Sequence, residues 1–280
     1  MELQTRVVTS NNGLSIDFDT SICFIGSCFS DNIGAKATES GFTTLINPFG
    51  TLYNPMSIAE CLKRCIDNHF IDRNDLFHYN GLWHSWLHHS SFSHTDQDRC
   101  ADMCNRHIET AHEFLKKKPV LVVTFGTAYV FRHEGNIVGN CHKVASNRFV
   151  RERCSADEIH EVWQPLVDRL ASNGIQTLFT VSPIRHMADG AHDNQLSKST
   201  LLLSIDGIEN AYYFPSYEIM MDELRDYRFY ADDMCHPTPL ATGYIWNRFQ
   251  ETYMSPHTRN QCNINIKQYK RTLHRQIIPT

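Results

Sequence analysis

The chain has 280 residues, 41% hydrophobic and 20% charged, a composition that buries a sizeable core and excludes a disordered acidic or basic tail. Lys and Arg number 26 against 31 Asp and Glu, a formal charge of -5, which lacks the basic excess that coats a phosphate backbone and argues against nucleic acid as a partner. The start carries no apolar leader core, no stretch approaches the ~20 apolar residues of a bilayer span, and ten dispersed cysteines read as reduced thiols, so a cytoplasmic location away from membranes is expected.

Ile22-Cys23-Phe24-Ile25 ends at Gly26 and is followed by Phe29, Ile33 and Ala37 at helical spacing, which predicts strand, tight turn and helix. Ser57 and Glu60 have capping-box spacing and Glu60 can pair with Arg64, predicting a helix over about 57–69. From Asn68 to about Arg106 the chain crowds Trp83, Trp86 and histidines at 69, 78, 84, 88, 89 and 94, with His107 just beyond, and is expected to be an insertion near a sheet edge. Pro119 to Phe125 is a continuous apolar run, as in a strand covered on both faces. Ser155 and Glu158 form a second capping box, opening a helix through Val162, Leu166 and Leu170 that stops at Asn173-Gly174.

Ile175 to Val181 predicts a further buried strand, 194–203 a helix and 211–214 a short strand. Thr238-Pro239 supplies N-cap and first position of a helix carrying Leu240, Tyr244 and Phe249. The basic stretch Lys267 to Arg271, with Arg275, predicts a solvated helix over about 258–276. Strands alternating with helices imply an α/β fold: a three-layer α/β/α sandwich with a mainly parallel sheet, as one domain over 1–280.

In such a sheet, ligands gather at strand C-termini, where helix N-termini offer N–H groups and positive potential. Gly26 places Ser27 and Cys28 at a helix start, where a thiol can fall below its free pKa of ~8.5, making Cys28 a candidate nucleophile. Asp233 stands three residues before His236; it can hold the Nδ1 proton and leave Nε2 free as a general base. Arg185 and His186, after the strand ending at Val181, sit where loops reach the ligand end and can hold an acidic group.

Phe24-Ile-Gly-Ser-Cys-Phe-Ser30 resembles the founding motif of the GSCFA domain family, placed with the SGNH or GDSL-type hydrolases. The likeness continues through the blocks at Asn47 to Pro55, Phe125 to Ala128, Asn140 to Lys143, Ser182 to His186, Asn194 to Lys198, Phe214 to Tyr217 and Asp233 to His236. The resemblance implies a flavodoxin-like, SGNH hydrolase-like architecture and ester hydrolysis through a nucleophile, a His and an Asp. Aligned on Gly26 and Gly34, the Gly-Asp-Ser of relatives falls on Gly26-Ser27-Cys28, so either Cys28 or Ser27 is the attacking group and the register favours Cys28. Gly50 matches the oxyanion glycine. Gly126-Thr127-Ala128 replaces the Gly-x-Asn of relatives, leaving Asn140 as a substitute donor with His142 and Lys143 beside it as substrate contacts.

The expected function is hydrolysis of an ester or thioester, with O-acyl groups on carbohydrate one substrate class. An acyltransferase of the same fold and a non-catalytic binding module with a degenerate site are the alternatives. No cofactor is implied. His84 and His88 have helical ligand spacing but lack the glutamate of a zincin, so no metal is expected.

Overall fold

A computed structural model describes residues 4–276, with side chains described through residue 272. The first half contains β1 (Ile22–Gly26), α1 (Cys28–Glu39), β2 (Thr44–Ile46), α2 (Pro55–Asp67), β3 (Leu76–Tyr79), β4 (Leu82–Ser85), α3 (Gln97–Leu115) and β5 (Val120–Phe125). Next come β6 (Tyr129–His133), β7 (Asn136–Val138), β8 (Val150–Arg153), α4 (Ala156–Ser172), β9 (Gln176–Val181), α5 (Gly190–Asp206) and β10 (Ala211–Tyr213). The short α6 (Ser216–Glu218) runs into a π-helical turn over Ile219–Glu223, and α7 (Pro239–Tyr253) and α8 (Pro256–Gln276) follow.

The main sheet has five strands in the order β10-β9-β5-β1-β2, and every pairing in it is parallel. Numbered by first appearance those strands run 2-1-3-4-5, the flavodoxin-like arrangement, with its switch point between β1 and β5. Alternation along the central strands divides the interior. Cys23, Ile25, Leu121, Val123 and Phe179 pack with α2, α3, α4 and α5. Ile22, Phe24, Val120, Val122 and Leu178 pack with α1, α7 and the π-turn. Strands sealed on both faces explain why they read as unbroken apolar runs.

Helix boundaries follow local chemistry. α4 opens on the Ser155–Glu158 capping box and ends at Asn173. Thr238 caps α7, with Pro239 at its first position. α2 departs from the expected start: Asn54, not Ser57, is the N-cap, its side chain accepting the Ser57 N–H, because Pro55 fits the first helical position.

The segment expected as an insertion divides in two. Its front forms the antiparallel β3–β4 hairpin, but from Gln97 onward it belongs to α3, the crossover helix into β5. Beyond β4 the chain bends over the loop after β2, where His89 N–H donates to the Phe49 carbonyl at 2.9 Å and the Phe49 ring stacks on His88. Unanticipated from the sequence is a three-stranded antiparallel sheet, β7-β6-β8, between β5 and α4. Among the described residues no helix is long and apolar enough to cross a membrane. Lys267, Lys270 and Arg271 are exposed on α8, and the Arg275 side chain lies outside the described residues.

Candidate active site

The site grows from the end of β1. Gly26 has φ +140°, and a Cβ there would lie 2.1 Å from the Thr124 carbonyl oxygen of the neighbouring strand, so only glycine fits this bend. Leaving it, Ser27 caps α1: it is buried, and its Oγ accepts the Phe29 N–H at 3.3 Å. Cys28 follows, half-buried at the head of the helix.

Opposite stands the loop before α7. Asp233 Oδ1 accepts the N–H groups of Cys235 and His236 at 2.8 and 2.9 Å, a turn closed with Met234 in the left-handed region at φ 57°. Asp233 Oδ2 lies 2.5 Å from His236 Nδ1. The other ring nitrogen, Nε2, lies 3.6 Å from Cys28 Sγ, across 208 positions of sequence. Of the two candidate attackers, Cys28 therefore meets the imidazole, whereas Ser27 turns inward to cap the helix.

Electrostatics at the thiol oppose the expectation drawn from its helix start. Burial pushes Cys28 above its ordinary value, Asp31 pushes the same way, and the N–H groups of Cys28 and Phe29 with Lys198 pull back only in part. Asp31 is fixed by Asn47 Nδ2 at 2.7 Å and Thr51 Oγ1 at 3.3 Å, and Asn47 Oδ1 accepts the Gly26 N–H at 2.8 Å. Asp233 is held down at about 2 by the two N–H groups it accepts and by His236. The resting pair is thus a thiol facing an imidazole that a carboxylate orients.

Other expected site residues are placed differently. Gly50 has φ +77° and its N–H donates to the Asn47 carbonyl at 2.8 Å, so this amide is engaged within the turn rather than free for an oxyanion. His142 is buried against Phe77, His84 and Trp86, with Nδ1 at Ser90 Oγ and Nε2 at the Ser85 carbonyl. Burial pushes it down to about 4, and with both ring nitrogens engaged it is a packing residue instead of a substrate contact. Lys143 is exposed. Asn140 N–H donates to the Trp86 carbonyl at 3.0 Å, while its side-chain Nδ2 is buried without a hydrogen-bond partner.

His186 Nε2 is likewise buried and unpartnered, and burial pushes this imidazole down to about 4. Arg185 braces the His236 loop: its N–H donates to the Cys235 carbonyl at 3.2 Å and its guanidinium to the Met234 carbonyl at 3.0 Å. It also borders a cavity of about 280 Å³ with Met187, Tyr217, Met220, Leu224 and Tyr230. A cavity of about 680 Å³ between α2 and the two hairpins reaches neither Cys28 nor His236. His84 and His88 sit on β4 and the following turn, not on a helix, and no group of three metal-ligating side chains gathers among the described residues.

The polar stripe of α5 lies in the block Asn194 to Lys198, which the family likeness included but for which no role was assigned from the sequence. Asn194, Ser197 and Lys198 occupy its buried face at helical spacing. Asn194 Oδ1 accepts the His186 N–H, Ser197 Oγ accepts the Ala128 N–H, and Lys198 Nζ donates to the carbonyls of Gly126 and Ser182. Three polar residues on the core side of a helix were the available signal.

A model of the GSCFA family matches residues 21–249. No curated protein matches the chain in sequence. Among solved structures the chain is similar to the psychrotrophic esterase EstA from Pseudoalteromonas sp. inhibited by monoethylphosphonate, at 10% identity over 84% of this chain and 96% of that one, with a TM-score of 0.40. The family match spans most of the chain and includes both the Gly26 bend and the Asp233–His236 turn, and the chain belongs to the GSCFA family.

Proposed function

We propose that this protein hydrolyses ester or thioester bonds with Cys28 as nucleophile, His236 as general base and acid, and Asp233 as the group that orients His236. The observation that carries the reading is the continuous path from Cys28 Sγ to His236 Nε2 at 3.6 Å and from His236 Nδ1 to Asp233 at 2.5 Å. Because Cys28 is pushed up by burial and Asp31, it attacks from the thiol rather than from a standing thiolate, which is why a base within reach is needed.

His236 Nε2 takes the thiol proton as Sγ bonds to the acyl carbon, and the carbonyl electrons move onto oxygen. The oxyanion collapses, breaking the bond to the alcohol or thiol, which leaves with the proton from His236. Water then attacks the acyl-enzyme thioester, giving its proton to His236, and the carboxylic acid departs as Cys28 recovers the thiol. The Cys28 N–H at the α1 start is the donor offered to the oxyanion, since the Phe29 N–H is already taken by Ser27 Oγ, and Asn140, whose Nδ2 has no partner, is the second donor to test by substitution. O-acyl carbohydrates are one substrate class to assay; transfer to an acceptor hydroxyl would follow if that hydroxyl replaced water.

Labelling with iodoacetamide and a fluorophosphonate, mapped by mass spectrometry, tests the reading. Modification should concentrate on Cys28, fall on the order of 10²-fold in His236→Ala, and be lost in Cys28→Ala, while Ser27→Ala stays reactive. Labelling indifferent to His236, with no turnover of acyl esters, would favour a binding module instead.

A further inference from the structure

The cavity beside the His236 turn takes part in no step of the proposed reaction. Its walls are Met187, Met220, Met221 and Leu224 with the rings of Tyr217 and Tyr230, and its volume is about 280 Å³. That is the small end of ligand pockets, which run upward from about 300 Å³ and combine apolar walls with a few convergent polar groups. Met187 and Tyr227 are exposed at its edge, so it opens to solvent. The methionines make an adaptable wall, since an unbranched thioether side chain follows the outline of what it covers.

Two polar groups in that wall keep unassigned donors. Half-buried Arg185 gives a guanidinium N–H to the Met234 carbonyl at 3.0 Å and lies over the Tyr230 ring at 5.5 Å. Among the described residues it has no carboxylate partner, and a guanidinium carries five N–H donors, so most of its fork is unassigned. Asn194, on α5, is 5% exposed; its Oδ1 accepts the His186 N–H at 2.9 Å, while its Nδ2 has no acceptor among the described residues. The other charged groups of the wall are paired, Arg225 with Asp222 and Asp226 with Arg228, and the Tyr217 hydroxyl donates to Gln195 Oε1 at 2.6 Å. A buried amide donor without an acceptor costs free energy, and here it lines the same cavity as a cation without an anion.

We propose that this cavity binds a small monocarboxylate with an apolar body, its carboxylate on Arg185 and Asn194 Nδ2 and its body among the methionines and tyrosines. A guanidinium fork matches the two oxygens of a carboxylate. One uncompensated cation calls for one negative charge, whereas a phosphate dianion would leave excess charge against apolar walls. Arg185 also braces the Cys235 and Met234 carbonyls, so the occupant touches the residue that holds the His236 turn. The site does not depend on Cys28 being a nucleophile.

Octanoate and 3-phenylpropanoate are the probes, each compared with the corresponding primary alcohol and amine. Protein carrying ¹³C at the methionine methyls reports binding by NMR, with the signals of Met187, Met220, Met221 and Met234 assigned by replacing each with leucine. The acids should shift the first three signals saturably, and the alcohols and amines should bind about tenfold more weakly or worse. Absence of a saturable shift with either acid overturns the site, and equal binding of acid and alcohol overturns the carboxylate; both comparisons use the native chain. Shifts confined to Met234 would put the acid at the His236 turn and also overturn it. Arg185→Gln should weaken the acids about tenfold and leave the alcohols unchanged. Asn194→Asp, which keeps an acceptor for the His186 N–H but adds a negative charge, should weaken the acids likewise. In Cys28→Ala the shifts should persist; their loss would make the acid a ligand of the cysteine and refute a separate site.

Discussion

Asp31 and Cys28 stand three residues apart at the start of α1, which puts carboxylate and thiol on the same face of the helix. The carboxylate is not displaceable by a small rearrangement, because Asn47 and Thr51 hold its two oxygens. Its effect is to keep the sulfur protonated at rest. Asp31→Asn preserves the shape and the hydrogen-bonding side chain but removes the like charge, so Cys28 should titrate lower and its alkylation at neutral pH should rise about threefold to tenfold. An unchanged or slower rate would mean that burial alone sets the thiol. The spacing of Asp233 and His236 was legible in the chain, because three residues suffice to close that turn. The role of Asp31 was not, because a carboxylate three residues after a cysteine acquires meaning only when the loop bearing Asn47 folds over it.

The elements most legible in the sequence were those whose identity is local or whose burial is uniform. β1 and β5 are almost wholly apolar and β9 is buried beyond Gln176 because helices cover both their faces, and α4 and α7 announce themselves through their caps. The β6–β7–β8 sheet was illegible: its strands are short and partly exposed, and β8 is wholly exposed, so neither an apolar run nor a clean alternation marks them. α5 was recognised as a helix but not as a clamp, since polar residues on a core face read as exceptions until their partners are known. Its Ser197 Oγ accepts the buried Ala128 N–H at 2.8 Å and meets Thr127 Oγ1 at 3.1 Å, tying down the turn after β5. Ser197→Ala would leave that N–H unpaired, and should lower unfolding free energy by about 1–3 kcal/mol in urea titrations. A loss within experimental scatter would show that the turn can relax to another acceptor.

For the molecule as a whole, the buried ammonium imposes a signature on stability. Burial pushes Lys198 down from 10.5 to about 7, so below about pH 7 both folded and unfolded chains carry the proton and the desolvation penalty is fully felt. Between about 7 and 10.5 the unfolded chain still holds a proton that the folded one has released, and the penalty fades as pH rises. Wild type should therefore gain on Lys198→Met across that window, by at most about 1.4 kcal/mol per pH unit. Parallel urea midpoints at every pH would show that the lysine titrates alike in both states. Taking the difference between the two proteins cancels the thiols and phenols that ionise in the same range.

The order in which the chain is made adds a final consequence. All five strands of the main sheet are complete by Tyr213, yet His236 and its aspartate lie beyond them. A ribosome-tethered intermediate that has emerged only through β10 bears the cysteine near its beginning without the partner that would draw off its hydrogen. On the reading proposed above, the general base therefore joins the cysteine late, by the docking of one short turn.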